Sequence, residues 1–261
     1  MPKTADRPAF WSVVAAFAVS DSRILWRMRT PLAFMFAVPA VLAVTLGPAV
    51  SGAGAGGSAV PGRSMVGIAV MFSFMTVNYT GLALFREYTN HTWVRQAVNR
   101  PARTAFLLGK MLPVAAAGLI QLGIFAAVAF VAYGLPLHGS PAQLLVVAVA
   151  LVAAGCALGA VLFVVTRTAP VFQSIAYVLL LTTGSVGGAI VPSDQLPAVS
   201  RAMGFLTPQH WAMRALDETT SGAGSWGPTV QAVAVIGALA LVLAVVAVVG
   251  VGYNLEKSAF T

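Results

Sequence analysis

Six long apolar runs, Leu32–Val50, Val66–Phe85, Leu112–Tyr133, Leu144–Thr166, Val171–Val191 and Val230–Val251, dominate the chain. Each is close to or beyond the roughly 20 residues that carry a helix across a hydrocarbon layer. The bilayer core offers no water to backbone groups, so only helices and closed β-barrels span it. A barrel would show short alternating segments. Continuous runs therefore predict an all-α membrane protein with six transmembrane helices. Composition excludes a water-soluble globule, because 59% hydrophobic and 8% charged residues leave too little polar surface to coat 261 residues.

Charge placement orients this bundle. Twelve of the fifteen lysines and arginines cluster before the first run (Lys3, Arg7, Arg23, Arg27, Arg29), after the second (Arg86, Arg95, Arg100, Arg103, Lys110), at Arg167 and at Lys257, leaving Arg63, Arg201 and Arg214 on the other side. Basic residues beside spans stay cytoplasmic. Both termini are thus expected in the cytoplasm of a multi-pass protein of the bacterial plasma membrane. The net charge of +8 reports topology rather than a nucleic-acid partner.

The expected organisation is a cytoplasmic N-terminus over 1–31, a six-helix transmembrane domain over 32–252 and a cytoplasmic tail over 253–261. On a helical wheel Phe10, Val13, Val14, Phe17, Ile24, Leu25 and Met28 share one face, while Ser12, Ser20, Arg23 and Arg27 share the other. That pattern predicts an interfacial amphipathic helix, with Asp21 on the wrong face. A signal peptide is the rival reading, but cleavage after Ala16-Phe17-Ala18 would leave Arg23, Arg27 and Arg29 outside, against the charge rule. The segment 192–228 is punctuated by Pro192, Pro197, Pro208 and Pro228, and its pieces are too short to span. It predicts re-entrant or interfacial helices on the outer face.

Chemistry inside the spans is sparse. Cys156 cannot form an intrachain disulfide, and the spacings Gly155-x-x-x-Gly159 and Gly184-x-x-x-Gly188 permit close helix approach, within the chain or to a second copy. His91, His138 and His210 form no metal motif, so no metal or catalytic residue is expected, and Gly109-Lys110-Met111 lacks the rest of a phosphate loop. All seven acids lie outside the apolar runs, which removes the usual ligands for a coupling ion. Energy for transport would come from another subunit. The one long hydrophilic block, 86–104, is the natural contact for it, although a solvated charged turn would have the same composition.

Glu87-Tyr88-x-x-x-Thr92-Trp93-x-Arg95 and the following Gly109-Lys110 at the mouth of a run carrying Gln121 resemble the cytoplasmic signature of the type-2 ABC-transporter permease family. Pro192-x-x-x-x-Pro197 with Leu206-Thr207-Pro208-x-x-Trp211 resembles that family's external segment before its last helix. The resemblance covers about residues 20–255, and within the family it is nearest permeases of the daunorubicin-resistance type. The acid-to-Thr spacing is stretched here, and Gln96 replaces the usual leucine. The resemblance implies an exporter of a drug, lipid or secondary metabolite, built from two permease protomers, identical or homologous, and two copies of a separate ATPase that holds the ATP and Mg; the chain itself binds no cofactor. It places a coupling helix at 88–99, with Arg86, Glu87, Tyr88, Asn90, His91, Thr92, Trp93, Arg95 and Gln96 as the ATPase-coupling residues. Spans two and five would line the substrate path through Phe72, Phe74, Met75, Asn78, Tyr79, Phe172, Gln173 and Tyr177, and Pro192, Pro197, Pro208 and Trp211 would shape the external segment. A membrane-anchored assembly or sensor subunit remains the alternative.

Overall fold

The computed structural model describes residues 9–28, 33–42, 44–45, 62–90, 92–93, 96, 98, 101–189, 196–220, 222–252 and 257. Within them the protein is helical: α1 (Phe10–Arg27), α2 (Ala33–Leu42), α3 (Arg63–Ser73), α4 (Met75–Thr89), α5 (Arg103–Val131), α6 (Pro141–Val165), α7 (Ala169–Val186), α8 (Ala198–Gly204), α9 (Pro208–Thr220) and α10 (Trp226–Gly250). Five stretches among the described residues are long and apolar enough to cross a membrane: Arg63–Thr89, α5, α6, α7 and α10. They correspond to five of the six expected spans. The other, Leu32–Val50, is represented by α2 alone, and the rest of it, like Ile190 and Val191, lies outside the described residues.

Local chemistry explains where the helices start, bend and stop. The second span is two helices joined at Phe74, whose N–H bonds back to the Met71 carbonyl. Ser73 Oγ donates to the Val70 carbonyl at 2.6 Å and Thr76 Oγ1 to the Ser73 carbonyl at 2.7 Å. Hydroxyls that back-bond and i→i+3 amide bonds tighten and bend a helix. α6 opens on a capping box, in which the Ser140 side chain accepts from the Ala142 N–H and the Ser140 N–H donates to the Gln143 side chain, with Pro141 in the first turn. α5 starts well before the apolar run at Leu112, because its first two turns pack against α1 instead of lipid.

The α3–α4 stretch is the buried axis of the bundle, while α5, α7 and α10 turn Ile120, Val131, Val178, Leu181, Leu241 and Val249 outward. Such apolar exposure suits a lipid surround. Glycines set the close crossings. A Cβ on Gly155 would lie 2.2 Å from Thr76 Oγ1, one on Gly159 2.4 Å from the Val77 carbonyl oxygen, and one on Gly184 2.1 Å from Met71 Cγ. The small-residue spacings are therefore filled by packing within this chain. Cys156 is buried beside them as a free thiol.

The antiparallel spans divide the termini of the helices between two ends. The basic end holds α1, the last turn of α4, the start of α5 and the C-termini of α6 and α10. The far end holds the start of α3, the C-terminus of α7, and α8 and α9, the two short helices found where the proline-punctuated segment was expected. Helix C-termini at the basic end carry cations as the helix dipole favours. Arg103 donates to the Val249 carbonyl at 3.1 Å, and Lys257 Nζ to the carbonyls of Val164 (3.1 Å) and Thr166 (2.6 Å).

Candidate functional site

At the basic end four charges meet where three helices converge. Lys110, in the second turn of α5, sits 2.8 Å from Asp21 Oδ2 of α1 and contacts Glu87 Oε1 of α4, and all three residues are buried. Arg86 lies 4.0 Å from Asp21, so two acids face two bases and the cluster is neutral. Burial pushes the Asp21 carboxyl up, and the Lys110 ammonium beside it pulls the other way. Removing one member of such a network leaves an uncompensated buried charge, at a cost of about 3–5 kcal/mol.

The network also holds the polar segment after α4. Glu87 accepts from the Thr92 hydroxyl at 2.5 Å and from the Gln96 side chain, while the Thr92 N–H donates to the Glu87 carbonyl at 3.0 Å. The Gln96 N–H returns to the Thr92 carbonyl, closing a helical turn. Trp93 is buried, stacked on Tyr88 at 4.5 Å and edge-on to Phe106 at 5.9 Å. Rings then run without a gap in both directions. Phe106 meets Phe17 of α1 at 5.3 Å, Tyr88 meets Phe163 at 6.2 Å, Phe163 meets Phe85 at 5.0 Å, and Phe85 meets Phe172 of α7 at 5.6 Å. Gly81 makes room for Phe172, whose Cζ would be 2.0 Å from an added Cβ. Aromatic contacts of this kind add about 0.5–1.5 kcal/mol each beyond the area they bury. The arrangement is a continuous solid joint from α1 through the polar segment to the start of α7.

The sequence-derived coupling residues thus divide. Glu87, Tyr88, Thr92, Trp93 and Gln96 are brought together, facing inward, and Arg86 closes the charge cluster. Asn90 is exposed, as is Val98 at 77%. His91 and Arg95 lie outside the described residues. Two members of the charge cluster were not among the candidate residues, nor were Phe17, Phe85, Phe106 and Phe163 of the ring chain. In the sequence Lys110 stands out as one of the orienting cations and as half of Gly109-Lys110, and Asp21 as a misfit on an amphipathic helix. That misfit was the available signal, since an acid on an apolar face needs a buried partner. Gly109 belongs with them: a Cβ there would be 2.5 Å from Phe17 Cβ and 3.0 Å from the Val14 carbonyl oxygen, so glycine lets α1 cross α5 closely enough for Asp21 to reach Lys110.

The eight pathway candidates also divide. Phe72, Phe74 and Phe172 are core residues. Asn78 is buried with neither side-chain atom hydrogen-bonded. Met75, Tyr79 and Gln173 are half-buried and Tyr177 is 47% exposed, with Tyr79 and Tyr177 close enough to interact electrostatically. α4 and α7 therefore present a strip on the protomer surface.

At the far end Arg63 and Asp217 form a two-pronged pair, Nε to Oδ1 and Nη2 to Oδ2, both 2.8 Å, partly open to solvent. Trp211 donates to the Phe205 carbonyl at 2.9 Å, and Pro208 begins α9; Pro197 precedes α8, while Pro192 lies outside the described residues. Burial, with Arg214 nearby, holds the His210 imidazole below its usual range.

A buried ionic joint at one end of a helical bundle is one step from a family assignment, and comparison supplies it. The family model described as ABC-2 type transporter matches residues 14–220. The chain belongs to the ABC-2 type transporter family. No curated protein matches the sequence significantly. The matched range takes in α1, the joint, the spans through α7, and both short far-end helices. Membership makes this chain a multi-pass permease subunit of an ABC transporter, the membrane-spanning unit rather than the ATP-binding one, and implies an ABC ATPase as partner.

Proposed function

We propose that this permease exports an apolar or amphipathic substrate, such as a drug, a lipid or a secondary metabolite, across a bacterial plasma membrane. Its basic end faces the cytoplasm with both termini, and the polar segment 86–104 receives the thrust of an ATPase carrying ATP and Mg. Two ATPase copies and a second permease protomer, identical or homologous, complete the transporter. One observation carries the reading: Glu87 and Lys110 clamp the polar segment to α4, α5 and α1, so a push on that segment moves three helices together. A merely solvated turn would not be pinned through Thr92, Trp93 and Gln96 to a buried charge cluster.

The strip of Met75, Tyr79, Gln173 and Tyr177 is the wall we assign to the substrate path, with Asn78 behind it as an unpartnered polar group. Aromatic and methionine side chains suit an apolar cargo because they bury large areas and adapt their shape. Nearness to the daunorubicin-resistance type fits such a cargo.

The test is gentle purification from native membranes with the chain tagged, followed by identification of what comes with it. An ABC ATPase in stoichiometric amount is the expected result. Its repeated absence, with the chain intact and folded, overturns the exporter reading in favour of a membrane-anchored assembly or sensor subunit.

A further inference from the structure

The far end encloses a cavity of about 400 Å³ between the start of α3, the turn after α7, and α9. Its charged lining is Arg63, Arg214, Asp217 and Glu218, with His210 and Phe205 beside them. These groups are not equally available. Both Asp217 oxygens are taken by Arg63. Glu218 Oε1 accepts from the Ala223 and Ser225 N–H groups and the Ser225 hydroxyl, holding the loop before α10. Asp217 is thus committed through both oxygens and Glu218 through one.

The donors are not. Arg214 is exposed, and its guanidinium lies over the Trp211 ring at 5.8 Å with no carboxylate in ion-pair range among the described residues. His210 is 7% exposed, its ring packs on Phe205 at 4.6 Å and Trp211 at 5.7 Å, and its ring nitrogens make no hydrogen bond among the described residues. A buried imidazole without a partner beside an unpaired guanidinium is a pair of donors waiting for an acceptor. Next to the cavity, Val199, Met203 and Leu206 project from α8 and the following turn at 72%, 55% and 83% exposure, and Phe205 joins them at 49%. A charged guanidinium and a buried imidazole inside, with an apolar ridge at the lip, match a molecule with an anionic head and a hydrocarbon tail.

We infer that this cavity binds the anionic head group, phosphate or carboxylate, of an amphiphile whose tail lies along the Val199–Leu206 ridge. Arg214 and His210 hold the head, and the Arg63–Asp217 pair walls the site. The inference deepens the export reading, on which it rests for its place in transport, by naming the substrate class received at the far end.

The experiment is isothermal titration of the purified full chain in phosphatidylcholine nanodiscs with dodecyl phosphate, inorganic phosphate and dodecyltrimethylammonium. Dodecyl phosphate should bind saturably. Arg214→Gln and His210→Phe should each weaken it about tenfold or more, the worth of a hydrogen bond to a charged group. Arg214→Lys should recover part of the loss, and Arg167→Gln, at the opposite end of the bundle, should change nothing. Because Arg214 is exposed, its variants keep the test decisive even if His210→Phe fails to fold. Equal binding of the cationic amphiphile, or undiminished binding by Arg214→Gln, overturns the site. Inorganic phosphate competing at the concentration of dodecyl phosphate overturns the amphiphile assignment in favour of a free anion. No ATPase enters this measurement, so its failure leaves the permease reading standing, whereas a missing ATPase in the co-purification leaves the binding result standing.

Discussion

The two ends of this bundle use charge in opposite ways. At the basic end Asp21, Glu87 and Lys110 are buried and mutually paired, and a chain of rings packs around them. At the far end the Arg63–Asp217 pair is partly solvated, Arg214 and His210 are uncommitted among the described residues, and a cavity remains. Backbone freedom follows the same division: the left-handed glycines of the described residues, Gly62, Gly134, Gly188 and Gly224, all lie in far-end turns. Glycine takes that conformation without steric cost. The proposed exporter needs one end that transmits force without yielding and another that opens to release cargo, and the contrast between a filled joint and a turn-rich cavity fits that proposal.

Substitutions can break that contrast. The largest effect is expected from Lys110→Met, which strands two buried carboxylates and should cost about 3–5 kcal/mol, read as a lower unfolding temperature in detergent and easier proteolysis of α1. Next comes Gly109→Ala. Its Cβ would collide with Phe17 and the Val14 backbone, and overpacking of this sort costs about 1–3 kcal/mol; increased protease cleavage within α1, with the spans intact, is the readout. At the other end Arg63→Gln should cost no more than about 1 kcal/mol, since exposed pairs contribute little. A loss at Arg63 as large as that at Lys110 would erase the distinction between the ends.

The smallest expected effect is a titration. His210 holds its proton less tightly in the folded protein than free histidine does. The unfolded chain then binds more protons around and below pH 6.5, so the folded state should lose stability as pH falls through that window. His210→Phe should flatten that part of the stability profile. A midpoint for His210 above 6.5 by nuclear magnetic resonance would contradict its buried placement beside Arg214.

Five of the six expected spans were legible because apolar length is read directly from the chain. What escaped was pairing between distant segments. The helical wheel marked Asp21 as misplaced, yet only the fold brings Lys110 to it. Trp93 was read as a coupling residue, and its packing against Tyr88 and Phe106 was not legible, since a sequence does not show which way an aromatic faces. The bend at Phe74 lay inside an unbroken apolar run, where the back-bonding of Ser73 and Thr76 leaves no trace in hydropathy. Arg214 and His210 looked like ordinary polar residues of a proline-punctuated helical segment, because availability depends on which neighbours are already committed.

The central claim, that the basic end is the joint coupling ATP hydrolysis to transport, is tested most directly by reconstituting the permease with its ATPase in proteoliposomes and measuring ATP hydrolysis and substrate movement together. Glu87→Gln keeps the shape of the side chain but removes the charge that clamps Lys110 and the polar segment, and Leu137→Ala, at an exposed far-end position outside the cavity, serves as the counterpart. The account predicts that Glu87→Gln leaves the complex assembled and hydrolysing ATP while transport per ATP falls by about tenfold or more, the rate equivalent of roughly 1.4 kcal/mol, and that Leu137→Ala keeps the normal ratio. Unchanged transport per ATP in Glu87→Gln would contradict it.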